Sequence, residues 1–205
     1  MIAAVVLAAG SSSRMGKPKQ TLQLEGGPML ERVLQTLRQT KVGRVVVVLG
    51  AHSSVVRGWV KFGKEKVVVN PRFKEGMSGS IRLGLAEAEE ADAAMIVLGD
   101  QPFVSPGTID RIIDAYVSSR SPVVVPVYHG RRGNPVLFDR SLFPQIRRIR
   151  GDVGAKSVVS GNEDKLLQVD VNDEGILVDI DTPSDYSNAV SAEGPARKRR
   201  NQGGA

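Results

Sequence analysis

Leu7, Ala8, Ala9, Gly10, Ser11, Ser12 and Ser13 are apolar or small, and Arg14, Lys17 and Lys19 follow at once. Small residues let a backbone approach a ligand closely and aim its N–H groups at phosphate. The cations that follow can neutralise phosphate charge. The chemistry this spacing suggests is a triphosphate cradle of an uncommon kind. A P-loop has four residues between its glycines and then Lys and Ser/Thr. Here five residues separate Gly10 from Gly16, and Pro18 follows Lys17. The dinucleotide fingerprint G-x-G-x-x-G is also absent.

Further along, Ile96-Val97-Leu98-Gly99-Asp100-Gln101-Pro102 reads as an apolar strand ending in a carboxylate. Alone, Asp100 reads equally as a turn former or a metal ligand. Beside a phosphate cradle the metal role is favoured, because Mg²⁺ takes one or two carboxylates plus phosphate oxygens. Asp179 and Asp181 form a second acidic pair, which alternation in an extended segment would place on one face. Either could be the second ligand, or both could serve the following turn.

Asn70-Pro71 and Gly76-Met77-Ser78-Gly79-Ser80 suit either a base-recognition segment or a helix start. The side-chain amide of Asn70 has the donor and acceptor that a pyrimidine edge requires, and the glycines would free backbone amides. His129 to Pro135 contains the dibasic pair Arg131-Arg132, and Gly151 to Lys156 is a second glycine-rich turn. As a pair they suit an anionic second substrate, although His129 alone reads as a surface-loop residue.

These residues need a scaffold, and the chain supplies alternating strand and helix patterns. Expected strands are Ala3–Ala8, Arg44–Leu49, Lys66–Asn70, Ala93–Leu98, Pro122–Val127, Pro135–Phe138 and Ile176–Ile180. Several are continuous apolar runs, as in sheets covered on both faces. Leu30, Val33, Leu34 and Leu37 follow helical spacing, as do Ile109, Ile112, Ile113 and Tyr116. Shorter helices are expected around Val55–Val60 and over Met77–Glu89. Thr182-Pro183 reads as the start of another, with Thr182 as N-cap and Asp185 reaching back. The expected fold is α/β, a single Rossmann-like domain in three α/β/α layers around a mainly parallel sheet. Ligands in such sheets lie beyond the carboxyl ends of the strands. That rule brings Gly10–Lys19, Asn70–Ser80 and Asp100 to one rim.

Composition narrows the function classes. The 205 residues are 41% hydrophobic and contain no Cys, so disulfides and thiolate metal sites are excluded. His52 and His129 are too far apart in sequence to form a ligand pair. No apolar run approaches the ~20 residues a membrane span needs, and Ile2–Ala9 reads as a buried strand. The expectation is a cytoplasmic protein with no membrane partner. Residues 191–205 contribute four of the positive charges and one negative, so without them the net charge falls from +6 to +3. This segment is read as a disordered basic tail following a domain over 1–190. With few aromatics and no basic–aromatic interleaving, no nucleic-acid partner is expected.

Leu7 to Lys19 resembles the signature L-A-[AG]-G-x-S-x-R-[MF]-G-x-x-K of the MobA-like nucleotidyltransferases, whose fold is of the nucleotide-diphospho-sugar transferase type. Its Ala8-Ala9-Gly10 form is similar to that of molybdenum cofactor cytidylyltransferases. The resemblance returns at Asn70–Gly84, Gly99–Pro102, Gly130–Phe138, Gly151–Lys156 and Asp179–Tyr186, and covers roughly residues 1–190. It implies an enzyme that transfers a nucleoside monophosphate from an NTP, CTP in this subgroup, to the phosphate of molybdopterin or molybdenum cofactor, releasing pyrophosphate. It implies catalytic roles for Arg14, Lys19 and Asp100. Nucleotide contacts are implied for Leu7, Ala8, Ala9, Gly10, Ser11, Ser12, Lys19, Asn70, Ser80 and Asp100. Mg²⁺ would be held by Asp100 and Asp181, the latter preferred to Asp179. Arg132, Asn134 and Lys156 would face the acceptor, Lys156 standing where the family usually has Arg. A methyl at Ala9 would narrow the base site toward a pyrimidine. Alternatives are a GTP-dependent or sugar/alcohol-phosphate transferase, and a non-catalytic cofactor carrier serving a molybdenum hydroxylase.

Overall fold

Strand β1 (Ile2–Ala8) runs through the middle of the molecule and is buried on both sides because its side chains alternate between two apolar layers. Ala4, Val6 and Ala8 join one cluster, while Ala3 and Val5 join the other. The computed structural model describes the backbone of residues 1–200 and the side chains of residues 1–191. The tail expected over 191–205 lies, from residue 192 on, outside those described side chains.

The chain continues through a two-strand hairpin, β2 (Gln23–Leu24) and β3 (Gly27–Pro28), into α1 (Met29–Arg38). Next come β4 (Arg44–Leu49), α2 (Ser53–Trp59), β5 (Lys66–Val69), α3 (Met77–Ala86), β6 (Ala93–Leu98) and α4 (Pro106–Ser119). The second half holds β7 (Val123–Tyr128), β8 (Arg131–Arg132), β9 (Val136–Asp139), α5 (Phe143–Arg148), α6 (Lys156–Ser160), β10 (Leu166–Asp170) and α7 (Pro183–Arg200). The main sheet has the order β10-β7-β9-β6-β1-β4-β5, with β8 paired to β7. Its pairs are parallel except those made by β8 and β9.

Helices α1, α2 and α4 cover one face through Leu30, Leu34, Val56, Ile109 and Ile112. Helices α3, α5 and α6 cover the other through Ile81, Leu85, Phe143, Ile146 and Val158. Fully burying such side chains stabilises the fold by about 1.5–3 kcal/mol each. The expected single-domain three-layer α/β/α architecture is therefore present. No helix among the described residues is long and apolar enough to cross a membrane.

One expected strand needs correction, and the sheet holds two features the patterns did not specify. Pro135–Phe138 is the expected strand, β9, and it runs antiparallel to both β6 and β7. The stretch between Tyr128 and Val136 is too short for the crossover that parallel pairing requires. Ile176–Ile180 is not a strand. Glu174–Leu177 forms a 3₁₀ turn started by Asp173, whose Oδ1 accepts the Gly175 N–H at 2.9 Å. The Ile176 carbonyl accepts the Asn134 N–H at 3.0 Å instead of joining a ladder. The sheet instead gains β10, an edge strand with alternating exposure and no continuous apolar run. Helix α7 starts as expected. Thr182 Oγ1 accepts the Asp185 N–H at 3.2 Å, and Asp185 Oδ2 accepts the Thr182 N–H at 2.8 Å.

Candidate nucleotide and metal site

A cleft opens beyond the carboxyl ends of β1 and β6. It is lined by Leu7 to Arg14, Lys19, Gln20, Phe73 to Met77, Ser80, Leu98 to Asp100, Asp152, Asp179 and Asp181. The loop after β1 turns sharply at Ser12, a left-handed residue with φ 55°, and the Ser12 carbonyl accepts the Met15 N–H at 2.9 Å. Ser12 Oγ accepts the Lys19 N–H at 3.1 Å, and buried Gln20 donates Nε2–H to the Ala8 carbonyl at 3.0 Å. These bonds bring Lys19 back beside the strand end it left. His52 donates its Nε2–H to the Ser11 carbonyl at 3.0 Å, which assigns the ring proton because a carbonyl can only accept.

Two acidic blocks about eighty residues apart in sequence are joined by the backbone: the Ile180 N–H donates to the Asp100 carbonyl at 3.0 Å. Ile180 itself is fully buried among Met15, Leu22 and Met29, leaving Asp179 and Asp181 on its two sides to border the cleft. Asp173 fastens the same loop to the start of α4, accepting the Ser105 N–H at 2.8 Å and the Thr108 hydroxyl at 2.6 Å.

At the floor of the cleft, the Lys19 ammonium donates to Asp100 Oδ2 at 2.5 Å and Asp181 Oδ1 at 2.6 Å. Arg14 donates to the other Asp181 oxygen at 3.0 Å. Burial favours neutral Lys19, but the charge of Asp100 and the hydrogen bonds to both carboxylates outweigh it and raise its pKa. Burial also pushes Asp181 up, and the Lys19 bond, followed by Arg14, outweighs it and holds the carboxyl low. Asp179 differs. Burial, then the charge of Asp100, raise its pKa, against a 2.7 Å hydrogen bond from Gln101 Nε2.

The residues expected at the site divide into three groups. Leu7, Ala8, Ala9, Gly10, Ser11, Ser12, Arg14, Lys19, Asp100 and Asp181 all border the cleft. Ala9 also belongs to the buried cluster beneath α3. Lys17 does not border the cleft; its ammonium lies 5.9 Å from the Tyr186 ring centroid.

In the 70–80 segment Ser80 borders the cleft as well, while most polar groups there are engaged with the protein itself. Asn70 is buried, donates to Ser80 Oγ at 3.0 Å and accepts the Arg72 N–H at 3.0 Å. The Met77 N–H donates to Asp152 Oδ1 at 3.0 Å, and the Ser78 N–H to the Gly151 carbonyl at 3.2 Å. Both amides, expected to be free for a base, cap against the 151–152 turn. Arg132 forms a two-pronged ion pair with Glu163 at 2.7 and 2.9 Å, Asn134 bonds to Ile176, and Lys156 is exposed at the start of α6. None of these three borders the cleft.

Gln101 and Asp152 were not singled out in the sequence, although both lie inside motifs that were. Nothing in the sequence marks Gln20 or His52, because their roles depend on which carbonyl the fold brings to them.

Among the described residues no group of three or more His, Cys, Asp or Glu is placed to hold a metal. Asp100 and Asp181 nevertheless share one cation, the Lys19 ammonium. Two carboxylates fit a hard divalent ion that completes its shell with phosphate oxygens and water.

Residues 4–168 match the family model for the MobA-like NTP transferase domain. Nicotine blue oxidoreductase of Paenarthrobacter nicotinovorans is 31% identical over 193 residues, covering 88% of this chain and 92% of its own. Purine catabolism protein PucB of Bacillus subtilis is 28% identical, covering 89% and 92%. The molybdenum cofactor cytidylyltransferase of Escherichia coli is 25% identical, covering 90% and 93%. The crystal structure of Rv0371c from Mycobacterium tuberculosis H37Rv superposes with a TM-score of 0.83 at 32% identity, over 93% of this chain and 97% of that one. Its complex with manganese gives a TM-score of 0.80 at 31% identity, over 93% and 98%. With the family match spanning most of the sheet and the whole phosphate loop, the chain belongs to the MobA-like NTP transferase domain family, nucleotidyltransferases by class.

Proposed function

We propose that the protein transfers a nucleoside monophosphate from an NTP, CTP by preference, to the terminal phosphate of molybdopterin or molybdenum cofactor. The observation that carries this reading is the Lys19–Asp100–Asp181–Arg14 cluster at the floor of a cleft walled by the Gly10–Ser13 loop. It sets cations and carboxylates beside the place a triphosphate would lie. A phosphate oxygen of the acceptor attacks the α-phosphorus in line. The bond to the bridging oxygen breaks and pyrophosphate leaves with that electron pair. Such a reaction needs positioning and charge neutralisation, and no nucleophilic side chain.

Arg14 and Lys19 would neutralise the phosphates. Asp100 and Asp181 would hold Mg²⁺, which when bound polarises phosphate oxygens as a Lewis acid. The likeness to the molybdenum cofactor cytidylyltransferase of Escherichia coli supports the acceptor and the base. The manganese complex of Rv0371c supports a divalent ion. Arg132, Asn134 and Lys156 remain acceptor contacts by family likeness alone. A molybdenum hydroxylase is the partner this reading implies, in a cytoplasmic setting.

The test is pyrophosphate release with CTP and with GTP, at equal Mg²⁺, using molybdenum cofactor as acceptor. CTP should be preferred in kcat/KM. Preference for GTP overturns the cytidylyl assignment and leaves nucleotidyl transfer standing. Release only with sugar or alcohol phosphates moves the acceptor. Binding of CTP without release with any acceptor identifies a carrier. Because one relative bears the name of an oxidoreductase, consumption of a reduced nicotinamide dinucleotide is measured alongside. Turnover there without pyrophosphate release overturns the proposal.

A further inference from the structure

The Lys19 ammonium bridges the carboxylates of Asp100 and Asp181, 2.5 and 2.6 Å from one oxygen of each. A hard divalent ion binds carboxylate oxygens at about 2.0–2.6 Å. An ion bridging those same two oxygens needs the volume that Lys19 Nζ fills. The two arrangements exclude each other. We propose that Lys19 is an internal competitor for the divalent cation, so that this site takes the metal as its triphosphate complex and holds the free ion weakly. The proposal rests on the nucleotide reading above and concerns how that site discriminates among its ligands.

Three features support the exchange. The protein offers the ion little else: Asp179 Oδ1 is held by Gln101, and no larger ligand group exists among the described residues. The exchange needs only a side-chain rotation. The Lys19 backbone is tied to Ser12 and its neighbour Gln20 to Ala8, while Lys has a long flexible stem. The displaced cation also has a destination. Lys19 and the Gly10–Ser13 loop line the same cleft, so a phosphate cradled by that loop lies within the side chain's range.

The charge balance follows. A free ion would displace the ammonium from two carboxylates and leave it without an anion, in a side chain only 13% exposed. A free triphosphate would bring negative charge toward Asp100, Asp179 and Asp181 while Lys19 and Arg14 were still engaged with Asp100 and Asp181. The complex does neither. Its metal takes the carboxylates and its phosphates take the ammonium. Metal and nucleotide must therefore bind with positive coupling, and reciprocity makes the factor the same for each.

The experiment titrates Mn²⁺ by calorimetry into wild type, Lys19→Met and Lys19→Gln, each with and without CTP and without acceptor. Thermal melts check folding, and the Gln variant serves where Met does not fold. Without CTP, the variants should bind Mn²⁺ about tenfold or more tighter than wild type. CTP should tighten Mn²⁺ binding about tenfold or more in wild type, within the usual range of coupling, and less in the variants. Equal or weaker Mn²⁺ binding by folded variants overturns the proposal, as does a wild-type affinity that CTP leaves unchanged. A wild type that binds no CTP even with Mn²⁺ overturns the nucleotide reading itself, which is a separate outcome.

Discussion

Two glycine- and serine-rich segments follow strands on the same rim, and the fold uses them in opposite ways. At Gly10 a methyl group would meet nothing within 4 Å, and the residue borders the cleft. At Gly76 the same methyl would lie 2.5 Å from the Gly151 carbonyl carbon and 2.8 Å from the Asp152 nitrogen, on a backbone with φ 101°. The first segment is open to a ligand. The second also borders the cleft at Gly76, Met77 and Ser80, but its backbone amides are closed off by the chain, because the 151–152 turn docks on it and caps Met77 and Ser78. Small residues mark close approach in both places. What approaches differs, and local sequence does not say which.

The largest expected effect comes from testing the closed segment. Gly76→Ala combines a left-handed conformation with a clash against backbone that cannot rotate away. Strain of this kind costs about 1–3 kcal/mol before the clash is counted, so the unfolding free energy should fall by about 3 kcal/mol or more in urea denaturation. A stable Gly76→Ala protein would mean that the 151–152 turn can move aside, and would reopen that segment to a ligand.

Gly10→Val tests the open segment in the reverse sense. Nucleotide affinity should drop about 10–100-fold, because the side chain fills space a ligand would use. Stability should stay within about 0.5 kcal/mol, the usual range for changes that disturb no packed feature. Lost stability with unchanged CTP binding would reverse the contrast.

The smallest effect is expected at the contact between the two turns. Asp152→Ala removes the carboxylate that caps α3 at Met77, and a lost N-terminal cap costs about 1 kcal/mol. Denaturation midpoints measure this. Asp152→Asn should recover most of the loss, since Asn also caps well.

Much of the scaffold was legible because it rests on short-range patterns. The apolar runs at Ala3–Ala8, Arg44–Leu49 and Ala93–Leu98 became the central strands, and the helical spacing at Leu30–Leu37 and Ile109–Tyr116 became α1 and α4. Burial on both faces demands continuous apolar sequence, so those elements announce themselves. β10 was not legible, since an edge strand paired only with β7 needs no such run. Ile176–Ile180 was misread because its apolar residues anchor a turn: the Ile176 carbonyl accepts the Asn134 N–H, and Ile180 fills a small cluster under the cradle.

The chemistry divides along the same line. The sequence alone determined which groups are available: Arg14 and Lys19 in a small-residue loop after β1, Asp100 at a strand end, and an acidic pair before a capped helix. Those are properties of residue type and near neighbours. Only the tertiary structure decided that Lys19 bridges Asp100 and Asp181, that Asp179 is held apart by Gln101, that Asn70 turns inward to Ser80, and that Arg132 pairs with Glu163. Electrostatic pairing falls off within a few ångströms. It is set by which distant segments the sheet order and the loop anchors bring into contact, and no spacing along the chain encodes that distance.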